Sequence, residues 1–331
     1  MTRLPRAAAL LAAVLVISAC GSGGGATPVA SSAPSGGPAA ACSAAPEPAA
    51  DALAEWDPST QRPTVVPLIV SSRQVCGENR FLFSFLVDNQ PVAAPDRTVS
   101  VAFYDLGKDA ATPVTTVDAT FIWAIEDERG LYVANVAFPE SGAWGAEFTT
   151  EAPGTPAETI RVRFDVHPDS PTVAIGEAAP RSDTPTADDV GGDLAAISTD
   201  AEPVAAFYET SVAEAIDAGT PFVLVFATPK FCTSAQCGPT LDRIKPIAAA
   251  NPEVAFINVE PYQLELVDGQ LQPVLDDTGQ LQATATTEEW GLLTEPWIFV
   301  VDGDGIVRAS FELIAGEDEL EAAIAAVEGA P

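Results

Sequence analysis

One uninterrupted apolar run constrains the fold of this chain most strongly. Residues 221–227, PFVLVFA, carry no polar side chain and begin soon after Gly219, where a helix-like apolar spacing stops. A strand that is apolar on both faces is typical of the buried centre of a sheet covered by helices. Two of the five cysteines, Cys232 and Cys237, follow in TPKFCTSAQCGPT. The pattern predicts a strand, a cysteine pair and then a helix, which is how a thiol redox site is usually built.

The rest of the chain from residue 194 to residue 331 alternates helical and strand patterns. Residues 201–219 predict a helix, and TLDRIKPIAAA is helical with Pro246 inside it. The segments VAFINVE and PWIFVV predict strands, and DGDG turns the second of these into IVRASFEL. The acidic segment GEDELEAAIAAVEG predicts a closing helix. This alternation indicates an α/β domain.

Residues 61–167 predict a different class of structure. Short runs rich in Val, Ile, Phe, Tyr and Thr recur here, separated by turn residues and without a helical stretch. Six or seven such strands favour an antiparallel β-sandwich of immunoglobulin-like type. The segment GLYVANVAFPESGAWGAEFTT also resembles the end of small immunoglobulin-like modules of bacterial envelope proteins. Residues 168–193 are Pro-rich and acidic and predict a linker between the two domains.

The amino terminus combines two arginines, an apolar run and small residues that lead into Cys20. This arrangement resembles a bacterial lipoprotein signal, and the apolar run is short for a membrane span. The resemblance implies removal of residues 1–19, lipidation of Cys20 and a protein held outside the cytoplasm on the cell membrane by its lipid anchor alone. An ordinary secretory signal or a short transmembrane anchor is the alternative. Residues 20–60, rich in Gly, Ser, Pro and Ala, predict a flexible tether.

Composition limits the partners. The chain has 15 Lys and Arg against 47 Asp and Glu, a formal net charge of −32. Such a chain repels nucleic acid and anionic lipid headgroups, so no nucleic-acid partner is expected.

Once Cys20 is lipidated, four cysteines remain in an oxidising compartment, and we expect Cys42 and Cys76 to form a structural disulfide.

The carboxy-terminal part resembles a thioredoxin-like, redoxin-like domain. The resemblance covers residues 207–329 and rests on the strand before the cysteines, the Pro-kinked helix and EWGLLTEPWIFVVDGDGIV, while IGEAAPRSDTP resembles the lead-in of redoxin domains. It implies that Pro296 is the cis-proline of the site. The family's Trp-Cys-Gly-Pro-Cys is absent, and so is its buried acid on the central strand. Two alignments with the family are open. In one, Cys232 takes the nucleophile position. In the other, Cys237 takes it, and Thr240 stands where the family has its second cysteine.

Helix geometry bears on this cysteine pair. Residues five apart in one α-helix rise about 7.5 Å and lie on different faces, which is too far for a relaxed disulfide. Pro239 suits a first helical turn, so a helix that begins near Gly238 leaves Cys232 in the loop, able to fold back on Cys237. Lys230 and the helix dipole favour a thiolate at Cys232, which we expect to be the more exposed sulfur.

We therefore predict a thiol-disulfide oxidoreductase that acts on exported proteins with thiols or disulfides. The rival is a non-catalytic binding or scaffold module whose Cys232–Cys237 bridge is structural. A thiol peroxidase is a lesser alternative, because TPKFCTSAQCG resembles the site segment of Q-type peroxiredoxins. The sequence departs from that pattern, since Thr228 is one residue too far from Cys232 and the nearest downstream arginine, Arg308, falls on the predicted hairpin. A copper-handling protein would need His167, the single histidine. No cofactor, no metal and no particular oligomeric state is predicted.

Overall fold

The computed structural model describes residues 42–57 and 60–328. The predicted signal peptide (residues 1–19), the lipidation site Cys20 and the tether as far as residue 41 lie outside these residues. Within the described part of the chain, no helix is both long and apolar enough to cross a membrane.

Eleven strands make up the first half of the described chain. They are β1 (Ser43–Ala44), β2 (Val66–Ile69), β3 (Gln74–Val75), β4 (Gly77–Val87), β5 (Gln90–Pro91), β6 (Thr98–Asp105), β7 (Thr115–Asp118), β8 (Thr120–Ile125), β9 (Arg129–Phe138), β10 (Glu140–Glu151) and β11 (Glu158–His167). One sheet has the order β3-β11-β10-β6-β7, with β1 beside β10, and the other has the order β2-β4-β9-β8, with β5 beside β4.

The two sheets face each other across one apolar core, which confirms the predicted β-sandwich. Alternate residues of β4, namely Phe81, Phe83 and Phe85, are fully buried in this core. Phe148 of β10, in the other sheet, lies between them, with ring centroids 4.9 Å from Phe83. Alternation by two along the strands is therefore what places the aromatic side chains between the sheets.

The predicted tether extends too far along the chain. Residues 42–57 do not hang free, because β1 pairs with β10 and Trp56 is fully buried. The Trp56 ring packs on Tyr104 with centroids 4.9 Å apart, and a Cβ at Gly145 would meet it at 2.3 Å. One large aromatic side chain in a low-complexity stretch thus holds the stretch on the sandwich, since burying it removes much apolar surface from water.

The second half is an α/β region (residues 168–328). Its strands are β12 (Phe222–Phe226), β13 (Ala255–Val259), β14 (Leu264–Val267), β15 (Gln270–Pro273), β16 (Trp297–Val301) and β17 (Val307–Glu312). Its helices are α1 (Val212–Ala218), α2 (Cys237–Ala250), α3 (Ala285–Glu289) and α4 (Glu317–Glu328). Four strands form a sheet of order β13-β12-β16-β17, in which only the β12–β13 pair is parallel. Strands β14 and β15 form a separate hairpin.

Strand β12 is the buried centre of this sheet, as its apolar run predicts. Val223 and Val225 pack on one face in a core with residues of α2 and α4. Leu224 points to the other face, where α1 and Trp290 cover it. Every residue of β12 is fully buried. A sheet with helices on both sides explains why this strand lacks the polar alternation of the sandwich strands.

One local expectation needs correction. The helix predicted over residues 201–219 is broken: Ala205–Tyr208 is a 3-10 turn, and α1 begins only after Ser211. The Ser211 hydroxyl accepts from the Glu214 amide, and the Glu214 carboxylate accepts from the Ser211 amide, which makes a capping box and starts a new helix. The predicted linker, residues 168–193, lies against the α/β region; the Ala179 amide, for example, donates to the Gly305 carbonyl at 2.8 Å.

The α/β region docks on the second sheet of the sandwich. The Gln236 side chain, one residue before α2, donates to the Ala124 carbonyl of β8 at 2.7 Å. Arg243 of α2 donates to the Trp123 carbonyl of the same strand at 2.6 Å. Two carbonyls near the end of an edge strand are thereby satisfied by the helix that carries Cys237.

Candidate functional site

The predicted cysteine pair is brought together at the start of α2. Cys237 is the first residue of this helix, and Cys232 lies in the loop that follows β12. The two form a disulfide with their Cα atoms 6.0 Å apart. Pro239 is the third helical residue, a position in the first turn where a missing amide hydrogen breaks no helical bond. The helix start therefore lies between the cysteines and leaves Cys232 outside the helix.

The two sulfurs differ in exposure and in contacts. Cys237 is fully buried, whereas Cys232 is half-buried. The backbone N–H of Cys237 donates to Cys232 Sγ at 3.1 Å, and the hydroxyl of Ser234 lies 3.3 Å from the same sulfur. An N–H aimed at a sulfur favours its thiolate form, and the N–H of Cys237 is a free donor at a helix start. Cys232 is therefore the sulfur that a partner can reach, and it would be stabilised as a thiolate.

A buried acidic residue contacts the loop between the two cysteines. Glu295 is 3 % exposed and precedes Pro296, and the peptide bond between them is cis. Its Oε1 accepts both the backbone N–H and the hydroxyl of Thr233, each at 2.6 Å. The Ser234 hydroxyl donates to the Glu295 carbonyl at 3.0 Å. A buried glutamate thus holds the loop between the two cysteines.

Glu295 was not among the site residues predicted from the sequence. Its partners Thr233 and Tyr262 lie 62 and 33 positions away, so no local pattern marks it. Among the described residues, one group of ligand-type side chains surrounds the pair: Cys232, Cys237 and Glu295, with their sulfur and oxygen atoms within 4.8 Å of one another.

Tyr262 completes the environment of Glu295. Its hydroxyl donates to Glu295 Oε2 at 2.5 Å. Burial raises the pKa of Tyr262 well above its ordinary value, and the hydrogen bond to Glu295 and the charge of that carboxylate raise it further. The Tyr262 hydroxyl therefore stays protonated at neutral pH and keeps donating its hydrogen bond to Glu295.

The two predicted supporting residues outside the helix do not contact the sulfurs. Thr228 is fully buried, and its hydroxyl lies 3.4 Å from that of Thr199. Lys230 is exposed, and its backbone N–H donates to the Thr199 hydroxyl at 3.3 Å. Both residues therefore fix the start of the cysteine loop on the segment before α1.

The residues invoked by the lesser alternatives lie elsewhere. His167 ends β11, and its carbonyl accepts from the Cys76 amide at 3.0 Å, so it neighbours the other bridge, in which Cys42 and Cys76 have Cα atoms 6.0 Å apart. Arg308 on β17 pairs with Asp302 at 2.5 Å. A copper site at the Cys232–Cys237 pair would therefore lack His167 as a ligand. A peroxide site there would lack Arg308, which is paired with Asp302.

A cleft beside the cysteine loop joins the site to the sandwich. Its volume is about 240 Å³, and its walls include Ser234 and Gln236 from the loop and Leu68, Ser84 and Ala124 from the sandwich. Leu68 is 45 % exposed, and the hydroxyl of buried Ser84 makes no hydrogen bond within the described residues. A group bound in this cleft would contact both halves of the chain.

Comparison with known proteins adds little. No family model matches the chain, and no curated protein matches it. A crystal structure of a DUF4426 family protein from Pseudomonas aeruginosa PAO1 is similar to part of the chain: the alignment covers 33% of this chain and 97% of that chain, with 17% sequence identity and a TM-score of 0.24. The chemistry of the site therefore has to be argued from its own geometry.

Proposed function

We propose that the α/β region is a thioredoxin-like thiol-disulfide oxidoreductase. The observation that carries the proposal is the asymmetry of the pair: a reachable Cys232 that receives a helix-start N–H, bonded to a Cys237 that is fully buried. Supporting features are the buried central strand β12, the antiparallel strands β16 and β17 beside it, and a proline at the entry to β16. An exposed attacking sulfur and a protected resolving sulfur are what stepwise exchange requires.

The reaction follows from this asymmetry. A client thiolate attacks Cys232 Sγ, the bond to Cys237 breaks, and a client–Cys232 disulfide forms while Cys237 leaves as a thiolate and takes up a proton. The client's second thiolate then attacks its own sulfur in the mixed disulfide and releases Cys232 as a thiolate. The client gains a disulfide and the chain gains two electrons, which a disulfide partner later removes by the reverse steps.

The proposal also includes the cellular location of this reaction. The amino-terminal resemblance to lipoprotein signals supports a tethered lipoprotein on the outer face of the cell membrane, whose clients are exported proteins. The sandwich, proposed to be immunoglobulin-like, then holds the redox region away from the bilayer. An oxidising compartment agrees with the use of four cysteines in two disulfides.

Trapping of mixed disulfides tests the proposal. In the full chain, Cys237→Ser leaves Cys232 able to attack a disulfide of a client but removes the sulfur that would resolve the mixed disulfide in this reverse direction of the reaction. We expect Cys237→Ser to accumulate mixed disulfides with exported proteins, visible on non-reducing gels and lost on reduction. The double variant Cys232→Ser/Cys237→Ser is the matched control and should trap none. Equal trapping by Cys237→Ser and the double variant would contradict the proposal.

The rival function, a scaffold with a structural bridge, is distinguished by the potential of the pair. A structural bridge resists reduction, with a potential below about −300 mV, whereas a working site has a higher one. We expect the Cys232–Cys237 bridge to equilibrate with a thiol buffer above that value. After reduction, alkylation should modify Cys232 faster than the buried Cys237.

A further inference from the structure

The cysteine pair and Glu295 together contain a donor set that disulfide exchange does not use. All three offer ligand atoms within 4.8 Å of one another, and Cys237 and Glu295 are almost completely buried. We propose that the reduced form of this site binds a divalent cation that prefers thiolates, with Zn²⁺ as the best fit. The inference rests on the reducibility of the pair, which is part of the proposed function, but it requires no exchange with a client.

The carboxylate of Glu295 is held in place and still has room for a ligand bond. A carboxylate has about four acceptor positions. Two donors from Thr233 reach Oε1, and the Tyr262 hydroxyl reaches Oε2. About one position therefore remains, on Oε2. Hydrogen bonds that fix a ligating side chain are the usual outer shell of a metal site, because they set its orientation.

Electrostatics gives the reduced site a reason to take up a cation. A buried carboxylate beside two thiols opposes their ionisation, because like charges at short distance in a dry site repel strongly. Within the described part of the chain, the side chain of Glu295 receives its hydrogen bonds from Thr233 and Tyr262 and from no lysine or arginine. A divalent cation would offset two of the three negative charges that the two thiolates and the carboxylate carry. Two thiol protons would leave to water on binding, with no change in oxidation state.

The types of donor atom select among cations. Two sulfurs and one carboxylate oxygen suit Zn²⁺, which accepts Cys and Asp or Glu ligands in a tetrahedral arrangement. Mg²⁺ and Ca²⁺ prefer all-oxygen sites, and Cu⁺ prefers sulfur and gains little from a carboxylate. Three protein ligands leave the fourth position for water. Cys232 lies in a loop and not in α2, so it can separate from Cys237 once the bridge is reduced.

Zinc titration of the reduced chain tests the site. The full chain in detergent is reduced under anaerobic conditions, and Zn²⁺ is titrated in competition with a chromophoric chelator. We expect one equivalent to bind to the reduced chain and none to the oxidised chain. Glu295→Gln, which can keep the hydrogen bond from Thr233, should weaken binding at least about tenfold. Glu312→Gln is the matched control, because Glu312 is buried but bonds to Ser72 and Thr294.

Thiols from Cys42 and Cys76, which reduction also frees, are accounted for by Cys232→Ser/Cys237→Ser, in which they remain. This variant should lose the equivalent, and the charge-transfer absorption of Co²⁺ bound in place of Zn²⁺ should vanish with it. Zinc uptake that persists in this variant, or that is unchanged in Glu295→Gln, would overturn the proposal. Binding by a chain that traps no client would uphold the metal site while the oxidoreductase proposal fails.

Discussion

Arg80 of the sandwich and Glu319 of the last helix form a two-pronged ion pair across the junction between the two halves. Arg80 Nε lies 2.9 Å from Oε1 and a terminal guanidinium nitrogen 2.7 Å from Oε2 of Glu319. The guanidinium also lies 5.5 Å from the centre of the Phe311 ring. Glu319 accepts a further bond from the Gly316 amide, just before α4 begins. A single glutamate therefore links the sandwich to the start of α4.

Replacing this glutamate should weaken the junction. We expect Glu319→Gln to lower the free energy of unfolding by about 2 kcal/mol, because paired hydrogen bonds between charged groups are lost at a half-buried position. Chemical denaturation measures the change. Asp217→Asn is the control, since the Arg181–Asp217 pair is exposed on both sides and water screens its charges. Equal losses in the two variants would contradict a special role for the junction.

The same pair predicts a dependence of stability on pH. Burial acts to raise the pKa of Glu319, but the hydrogen bonds and charge of Arg80 outweigh it and leave the pKa below the ordinary value of 4.5. A carboxyl group whose pKa is lowered by folding stabilises the folded state fully above 4.5, and this contribution is lost as the pH falls through the lower, folded pKa. The stability difference between wild type and Glu319→Gln should therefore shrink below pH 4.5 and be constant at neutral pH. A difference that grows on acidification would have the wrong sign.

Trp56 should be essential to the stability of the sandwich. It is fully buried, and the guanidinium of Arg161 lies 5.1 Å from the centre of its ring. We expect Trp56→Ala to cost about 3 to 5 kcal/mol, the range for deleting a buried large aromatic side chain. Val66→Ala, at a position 54 % exposed, should change stability by less than about 0.5 kcal/mol. A Trp56→Ala variant as stable as Val66→Ala would mean that the burial of Trp56 does not stabilise the sandwich.

The Cys42–Cys76 bridge should stabilise the folded state through its long loop. It joins cysteines 34 positions apart. In the chain-entropy account, a loop of this length contributes about 3 to 4 kcal/mol, which Cys42→Ser/Cys76→Ser should remove. Denaturation under non-reducing conditions gives the value. Peptide mapping supplies the second check: Cys42 that is alkylated without reductant would show that the bridge does not form.

The anchor can be checked on the mature protein. We expect Cys20 to be its first residue and to carry acyl chains, because a charged start, an apolar run and small residues precede it. Mass spectrometry of the membrane fraction should detect this acylated terminus. Cys20→Ala should move the chain out of the membrane fraction or leave it unprocessed. Soluble wild-type protein that begins at another residue would exclude the lipoprotein proposal.

Sequence patterns predicted those parts of the fold that depend on local order. Alternation by two predicted the sandwich strands, and the continuous apolar run predicted β12. Both patterns are local, because burial on one face or on both faces of a strand determines which neighbouring residues are apolar. The end of the tether was missed, since the partners of Trp56 are Tyr104 and Gly145, far along the chain. The break before α1 was missed because Phe207 and Tyr208 are buried outside a helix and still fit a helical spacing.

The candidate site, too, was predicted only where it depends on local sequence. The position of Pro239 was enough to place the helix start and leave Cys232 in the loop. Glu295 could not be recognised, because its role depends on Thr233, 62 positions away, and on Tyr262. The buried acid of this site lies in the segment before β16 and not on β12, so the apolar sequence of β12 did not indicate it.

The cleft between Ser234 and the sandwich has a consequence for selectivity. Under the proposed function, a client that reaches Cys232 past Ser234 would also contact the exposed side chain of Leu68 in the sandwich. The β-sheet half would then contribute to the choice of client, and a graft of the α/β half onto another carrier would be expected to change the set of clients.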